Sequence, residues 1–470
     1  MHLSDMSLMQ KEQITAILQA IALSSHILTY FSIAFSICCG KNSVMKLIVQ
    51  KSRLKGAVTI PASKSHTIRA VAIASLADGH SLIRSPLISS DTLSAVNTYR
   101  ALGALIDTSK PSQWIITGNS GKILSTKSII DVGNSGTTLN LAIGTASLTP
   151  PNQTVTFTGD HQTQSRPVGP LLDALNNLGA RCRALRNNGK APVQIKGQLT
   201  GGKTQIASHT SQYLSSLLLC TPLAPQTSEI EVTLLNEPGY VQMTLDWLNK
   251  QQIKYENQDF KKFIVTGGQK YQPIDCTIPA DFSSATFFLC AAALYGDEVS
   301  LNGLDFSDPQ PDKAVVDYLR QMGADITVAD NIITIKAGQL HGAEIDMNKT
   351  PDALPAMAVV AAFAEGQTKL LNVPQARAKE TDRIKCMAEE LKKMNVNVEE
   401  LADGLIINAS KAKPAELNGR GDHRIVMALS LAAMALDGQS TIDTAEAVSV
   451  TFPDYVKLMK SIGANMEIIK

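Results

Sequence analysis

The stretch SKSHTIRAVAIASLA (63–77) sets Ser, Lys, His and Arg at the head of a run of small and apolar residues. The run reads as a buried helix, and the polar cluster as its N-terminus. Five other stretches repeat the pattern: NSGTTLN (134–140), TSQYLSS (210–216), DFSSATF (281–287), PDALPAM (351–357) and DHRIVMA (422–428). Each leads into an apolar segment such as LCAAALYG (289–296) or LSLAAMAL (429–436). A helix N-terminus leaves backbone N–H groups unsatisfied and carries a partial positive charge. It is therefore a ready anion site, and several such ends bearing Lys, Arg, Ser and Asn point to a small, densely anionic ligand.

Outward from each opening, a second helix ends in a recurring phrase: ALGA (101–104), NLGA (177–180), QMGA (321–324), KMNV (393–396) and SIGA (461–464), with KQQI (250–253) as a degenerate copy. Alignment on Gly103, Gly179, Gln252, Gly323, Asn395 and Gly463 gives steps of 76, 73, 71, 72 and 68 residues. A sustained period dictates architecture. Ile384, Met387, Leu391 and Met394 keep helical spacing in one closing segment, and Gly at the ends fits C-terminal caps. Strand-like runs such as DITVA (325–329) and LIIN (405–408) follow. The expected fold is α/β, six units of two helices and a few strands, grouped three plus three.

A chain of 470 residues exceeds one core and divides into two or three domains. The formal net charge of +1 gives no global field toward nucleic acid or membrane. Seven cysteines without a C-x-x-C pair argue for a reducing compartment and against zinc or a disulfide framework. No phosphate-binding Gly-x4-Gly-Lys-Ser/Thr loop is present. Residues 14–40 contain no Asp, Glu, Lys or Arg and are long enough to span a bilayer. Gln19, His26 and many hydroxyls oppose that reading, and the preceding residues lack the basic character of a signal peptide. The extension 1–44 is a misplaced start, a true extension or anchor, or a cleaved signal. The repeats begin only at MKLIVQ (45–50), which reads as a first strand.

Lys64, Ser65 and Arg69 crowd one helix start, with Arg69 one turn beyond Ser65. Asn134, Ser135 and Gly136 form a second, where Gly136 permits close backbone approach. Thr210, Ser211 and Gln212 supply donors at a third, and Arg166 stands before Pro167. In the second half, Asp352 opens an apolar helix. QARAKETDR (375–383) gathers Lys379, Glu380 and Arg383, an amine beside a carboxyl suited to proton transfer. Asp422, His423 and Arg424 form the last cluster. Singly, each is an ordinary cap. Together, so many cations at helix N-termini, where the macrodipole disfavours them, call for a polyanion. Cationic starts from both halves of the chain are expected to repel until an anion bridges them.

SKSHTIR, GNSGTT, SRPVGPLLDALNNLGA, TSQYLSSLLL, KETDR and GDHR, in this order over 45–470, resemble the enolpyruvyl transferase family. The resemblance implies two similar domains, each of three βαβαββ-type repeats in an inverse barrel, with the active site in the interdomain cleft. The domains would be 63–279 and 45–62 plus 280–470, with crossovers near Pro61–Ser63 and Pro279–Asp281. The implied reaction moves the enolpyruvyl group of phosphoenolpyruvate to the 5-hydroxyl of 3-phosphoshikimate, within aromatic amino-acid biosynthesis. Resemblance assigns Lys64, Ser65, Arg69, Thr210, Ser211, Gln212, Asp352, Gln375 and Lys379 to 3-phosphoshikimate. It assigns Lys64, Asn134, Gly136, Arg166, Gln212, Arg383 and Arg424 to phosphoenolpyruvate. Asp352 would orient or deprotonate the hydroxyl, while Glu380 and Lys379 would manage protonation of the methylene carbon. No cofactor, metal, nucleic acid or membrane partner is implied, and a cytoplasmic monomer is expected.

The chain departs from the family pattern at Asn140 (an Arg in relatives), Gln375 (an Asn), Val450 (a Lys) and Glu237 (a Ser). Two rival readings stand beside the resemblance. A UDP-N-acetylglucosamine enolpyruvyl transferase typically has Lys-Asn where this chain has Lys64-Ser65, and a mobile-loop Cys that Cys182 does not match. A non-catalytic anion-binding relative would fit Asn140 and Val450, but would gain nothing from Asp352 and Glu380.

Overall fold

The computed structural model describes residues 45–470; the readings of 1–44 lie outside the described residues. Six four-stranded sheets share one plan. With strands numbered within a repeat, every sheet runs 1-2-4-3. The first two strands are parallel and the others antiparallel, and in four of the six sheets the buried helix joins the parallel pair. In one complete repeat, strand Ile129–Asp131 lies parallel to Thr154–Thr158, which pairs with Val193–Lys196 and then Arg181–Ala184. Helix Gly136–Ala146 makes the parallel crossover, and Gly169–Asn177 leads into the closing hairpin.

Three sheets are completed from a distance. Strand Lys46–Gln50 sits between Gln439–Ile442 and Asn465–Ile469 in the last repeat. Strand Leu54–Thr59 lies parallel to Gly296–Asn302. The first repeat takes its leading strand, Asp275–Thr277, from beyond the third. The chain therefore crosses between the two sets of three sheets twice, and the crossings touch. Ser63 N donates to Pro279 O at 2.8 Å, and Asp281 N to Pro61 O at 2.9 Å.

The six closing phrases end their helices identically. Gly103, Gly179, Gln252, Gly323, Asn395 and Gly463 all have positive φ, between 55° and 106°. The next residue's N–H reaches back five residues to a carbonyl in every case: Ala104 to Tyr99, Ala180 to Leu175, Ile253 to Leu248, Ala324 to Leu319, Val396 to Leu391 and Ala464 to Met459. This is the Schellman closure. A left-handed residue there favours Gly, which is why the phrase recurs in the sequence.

The six opening helices are Lys64–Leu76, Gly136–Ala146, Ser211–Cys220, Phe282–Tyr295, Leu354–Phe363 and His423–Met434. They are buried along nearly their whole length. Within each set they pack on one another, and small residues such as Ala142, Ala291 and Ala432 let the backbones approach. Two hydrophobic cores result, one built from residues 68–278 and one from 47–60 with 282–466. Such packing leaves the helix ends, not their sides, to meet solvent and ligand.

Candidate active site

One cleft collects the starts of all six opening helices. Lys64 and Ser65, Gly136 and Thr137, and Ser211 and Gln212 come from the first three, with Ser283, Asp352 and Arg424 from the last three. Arg69, Arg166, Lys379, Glu380 and Arg383 complete the wall with Asp91, Glu237, Tyr240 and Asp281. The convergence follows from the fold, because each opening helix starts in the loop after the leading, parallel-paired strand of a sheet.

Arg383 is the hub of the second half. It begins helix Arg383–Lys393 and is 1% exposed. Its Nη1 donates to Asp352 Oδ1 at 2.8 Å, its Nε to Asp422 Oδ2 at 2.9 Å, and its Nη2 to Glu380. Arg424 adds contacts to Asp352 Oδ2 at 3.2 Å and Ser283 Oγ at 2.8 Å. Burial alone would raise the Asp352 carboxyl, but Arg424, Lys379 and Arg383 outweigh it and hold Asp352 well below the ordinary range. The same contest holds Glu380 far below its usual value, with Arg166 and Arg383 as the main opponents of burial. His423 is pushed down to about 3 by burial, so it is neutral at physiological pH.

In the first half, Lys64 Nζ meets Asp91 Oδ2 at 3.1 Å. Arg69 is buried with neutral acceptors only: Thr244 Oγ1 at 2.9 Å, Tyr240 O at 3.0 Å and Ser65 O at 3.1 Å. Burial lowers it to about 10, which still leaves it charged. Arg166 lies across the start of helix Gly136–Ala146. A Cβ on Gly136 would stand 2.2 Å from Arg166 Nη1, so a guanidinium occupies the close approach that the sequence reserved for ligand. Arg166 Nη2 is 2.9 Å from Glu380 Oε1, at an angle that leaves both Nη2 and Nε without a hydrogen bond. Asn140 donates to Gln212 Oε1 at 2.7 Å, and Gln212 Nε2 donates in turn to Thr137 Oγ1 at 3.1 Å.

The structure does not bring every expected residue to the cleft wall. The Asn134 amide turns to Asp160 Oδ2 and Gln162 Oε1, both at 2.6 Å, and lines a separate depression with Ser90 and Asp131. Thr210 and Gln375 line an adjoining pocket that shares Arg166, Gln212 and Lys379 with the cleft. Val450 ends the 3-10 turn Ala445–Val450 and lines neither.

Glu237 is the least expected arrangement. It is 1% exposed and holds a left-handed backbone (φ 59°) before helix Pro238–Lys250, a conformation costing roughly 1–2 kcal/mol. Its Oε2 accepts from Ser211 Oγ at 2.7 Å, Ser211 N at 3.1 Å and Thr210 Oγ1 at 3.2 Å. Its Oε1 is bonded by Lys379 Nζ. Lys379 in turn lies 3.7 Å from Asp352. Burial would lower Lys379, but Glu237 and Asp352 raise it.

Asp91, Tyr240, Asp281 and Ser283 were not singled out as site residues from sequence. Asp281 and Ser283 lie in the opening DFSSATF, and Asp91 and Tyr240 lie at the starts of second helices, so repeat position is their sequence signal. The carboxylates of the cleft also correct an expectation. The cations from the two halves do not hold the cleft apart, because Asp91, Glu237, Asp352 and Glu380 neutralise them. Arg166–Glu380, Glu237–Lys379 and Tyr240–Asp312 (2.6 Å) instead clasp the halves. The remaining cavity is about 50 Å³, against the roughly 300–1,000 Å³ of small-molecule sites, so ligands must part these pairs. Among the described residues, no group of three or more His, Cys, Asp or Glu is arranged for a metal, and no helix is long and apolar enough to cross a membrane.

Residues 48–459 match the family model for EPSP synthase (3-phosphoshikimate 1-carboxyvinyltransferase). The chain is 55% identical to a 3-phosphoshikimate 1-carboxyvinyltransferase of Acetivibrio thermocellus over 90% of its length and 99% of that protein. It is 42% identical to one from Methanocaldococcus jannaschii over 90% of its length and 99% of that protein. EPSP synthase from Acinetobacter baumannii superposes with a TM-score of 0.77 at 28% identity, covering 91% of this chain and all of that one. The enolpyruvyl transferase NikO from Streptomyces tendae shares the fold, with a TM-score of 0.73 at 18% identity, over 91% of this chain and 99% of its own.

Proposed function

The chain belongs to the EPSP synthase (3-phosphoshikimate 1-carboxyvinyltransferase) family, and from that premise we propose how its cleft performs the reaction. The enzyme transfers the carboxyvinyl group of phosphoenolpyruvate to the 5-hydroxyl of 3-phosphoshikimate and releases phosphate, a step of chorismate and aromatic amino-acid biosynthesis. The observation that carries this reading is the convergence of six cationic side chains with Asp352 and Glu380 on one cleft lined by six helix starts. Both substrates carry a phosphate and a carboxylate, and fixed cations in a closed cleft stabilise such charge without reorganising.

The hydroxyl oxygen bonds to C2 of phosphoenolpyruvate as C3 gains a proton from Glu380, and the hydroxyl's own proton passes to the phosphate group. C3 then returns its proton to Glu380 as the C2–O bond to phosphate breaks and phosphate leaves with the hydroxyl's proton. Asp352, held strongly ionised by Arg424, Lys379 and Arg383, is a weak base and is better suited to orienting the hydroxyl than to removing its proton. Glu380 is suited to proton transfer at C3. Its proton is disfavoured by Arg166 and Arg383. When the anionic groups of phosphoenolpyruvate engage Arg166, that opposition weakens and burial favours the protonated carboxyl. Lys379, kept protonated beside Glu237 and Asp352, holds the acceptor side. Lys64, Ser65, Arg69 and Ser211 with Gln212 line the remaining wall for 3-phosphoshikimate. Thr210 and Gln375 adjoin it.

The two bodies are 63–279 and 45–62 plus 280–470, parting at the paired crossovers. Small-angle scattering on titration with 3-phosphoshikimate and phosphoenolpyruvate tests that motion. The enzyme acts as a cytoplasmic monomer, which light scattering and cell fractionation test. For the chemistry itself, Glu380→Gln keeps shape and removes the proton. Turnover, read as phosphate release, falls by about 10²–10⁴-fold, while calorimetric binding of 3-phosphoshikimate stays near wild type. Unchanged turnover would move the proton to another group; collapsed binding would make Glu380 a strut for Arg166 and Arg383.

A further inference from the structure

We propose that Glu237 is a specificity-determining residue whose carboxylate competes internally with the acceptor's phosphate. Ser211 N–H, the Ser211 and Thr210 hydroxyls and the Lys379 ammonium together form a complete anion site at a helix N-terminus. In this chain that site is filled by the protein's own side chain, with contacts of 2.7, 3.1 and 3.2 Å from the first half and the Lys379 pair from the second. The occupant is not a surface residue folded in by chance. Glu237 is 1% exposed, its left-handed backbone aims the side chain at these donors, and its N–H is tied to Asn348 Oδ1 at 3.3 Å.

The inference rests on the reading that Thr210, Ser211 and Gln212 face the phosphate of 3-phosphoshikimate. A phosphate dianion and a carboxylate cannot share these donors, because like charges a few ångströms apart in a partly desolvated site repel strongly. The ligand must therefore displace Glu237. That displacement frees Lys379 from one of its two carboxylate neighbours and undoes one clasp between the halves. Glu237 thus raises the acceptor concentration needed for half-saturation and discriminates against anions too weakly held elsewhere in the cleft to evict it. An uncharged side chain at this position leaves the donors open and the acceptor bound more tightly.

The test uses Glu237→Gln, which keeps the shape and removes the charge, beside Glu237→Ser, which removes both. Steady-state kinetics gives KM for 3-phosphoshikimate and for phosphoenolpyruvate, and calorimetry gives the affinity for inorganic phosphate. In both variants KM for 3-phosphoshikimate is expected to fall about tenfold, a larger change than in kcat or in KM for phosphoenolpyruvate. Inorganic phosphate is expected to bind more tightly by a similar factor and to compete with 3-phosphoshikimate. Should the Ser variant misfold, the Gln variant alone decides. If Glu237→Gln leaves phosphate affinity and KM for 3-phosphoshikimate unchanged, or weakens both, Glu237 is only a strut and the proposal is overturned. If the wild type binds 3-phosphoshikimate yet releases no phosphate, the reaction reading fails while the calorimetric comparison still judges Glu237.

Discussion

Replacing Arg383 by Gln removes the one cation shared by Asp352, Glu380 and Asp422. Arg383 and Asp422 are only 1% and 0% exposed, and the Arg383 contacts to Asp352 and Asp422 are 2.8 and 2.9 Å. Breaking a buried pair from one side costs about 3–5 kcal/mol, and with Asp422 stranded while Asp352 keeps Arg424 and Lys379 and Glu380 keeps Arg166, a loss within that range is expected at neutral pH. The cost should depend on pH in a definite sense. In the wild type all three carboxyls are held below their ordinary values, Arg383 among the causes for each. Their stabilisation is therefore full above the unfolded pKa, about 4, and is lost as pH falls through the lower folded values. In the variant, burial dominates at Asp422, so its folded pKa rises above the unfolded one. Stability is then lost as pH increases through that range. The gap between the proteins must widen from pH 5 to pH 8. Urea unfolding followed by far-UV circular dichroism reads it; both tryptophans, Trp114 and Trp247, lie in the other core, so their fluorescence would miss it. A midpoint fall of about 1–2 M urea is expected near pH 8, taking m near 3 kcal/mol/M. A gap that is constant, or that widens toward pH 5, would refute the electrostatic account of this hub. Arg383→Lys, which keeps charge but loses the planar fork, should fall between.

Gly136→Ala puts a methyl 2.2 Å from Arg166 Nη1 and should raise KM for phosphoenolpyruvate about tenfold, roughly 1.4 kcal/mol, with little change in Tm; an unchanged KM would place Arg166 outside that site. Gln252→Gly relieves a left-handed residue (φ 55°) in a helix closure and should stabilise by about 1 kcal/mol, read as a higher Tm. Burial raises Asp312 to about 7, so its folded form loses stability as pH rises from about 4 toward 7. Asp312→Asn, which still accepts from Tyr240, should match wild type near pH 4 and exceed it increasingly toward pH 8, and a gap that stays constant over that range would count against that shift.

The architecture was legible because its constraints are local and repeated. Gly103, Gly179, Gly323 and Gly463 mark left-handed closures that few other residues adopt cheaply, and the Ala/Leu runs mark helices with no wet face. Even Gln252 and Asn395, which break the phrase, adopt its conformation. The same regularity exposed Lys64, Arg69, Asp352 and Arg424, since a charge at the head of a buried helix has only the cleft to enter, while Glu380 and Arg383 stood out as a dense charged cluster at the start of a second helix. Asn134 misled for the same reason: it satisfies the pattern at a helix start, but Asp160 and Gln162, brought close only by folding, capture its amide.

What the sequence by itself determined was the period, the αβ unit, and the set of charged helix starts, all written in residues close along the chain. Only the tertiary structure decided how those charges are matched. Arg166 meets Glu380 across 214 positions of chain, and Lys379 meets Glu237 across 142. Ion pairing depends on distances of a few ångströms between side chains from different repeats. No local pattern encodes these distances, because six similar units could bring their ends together in many combinations and only the packed cores select one.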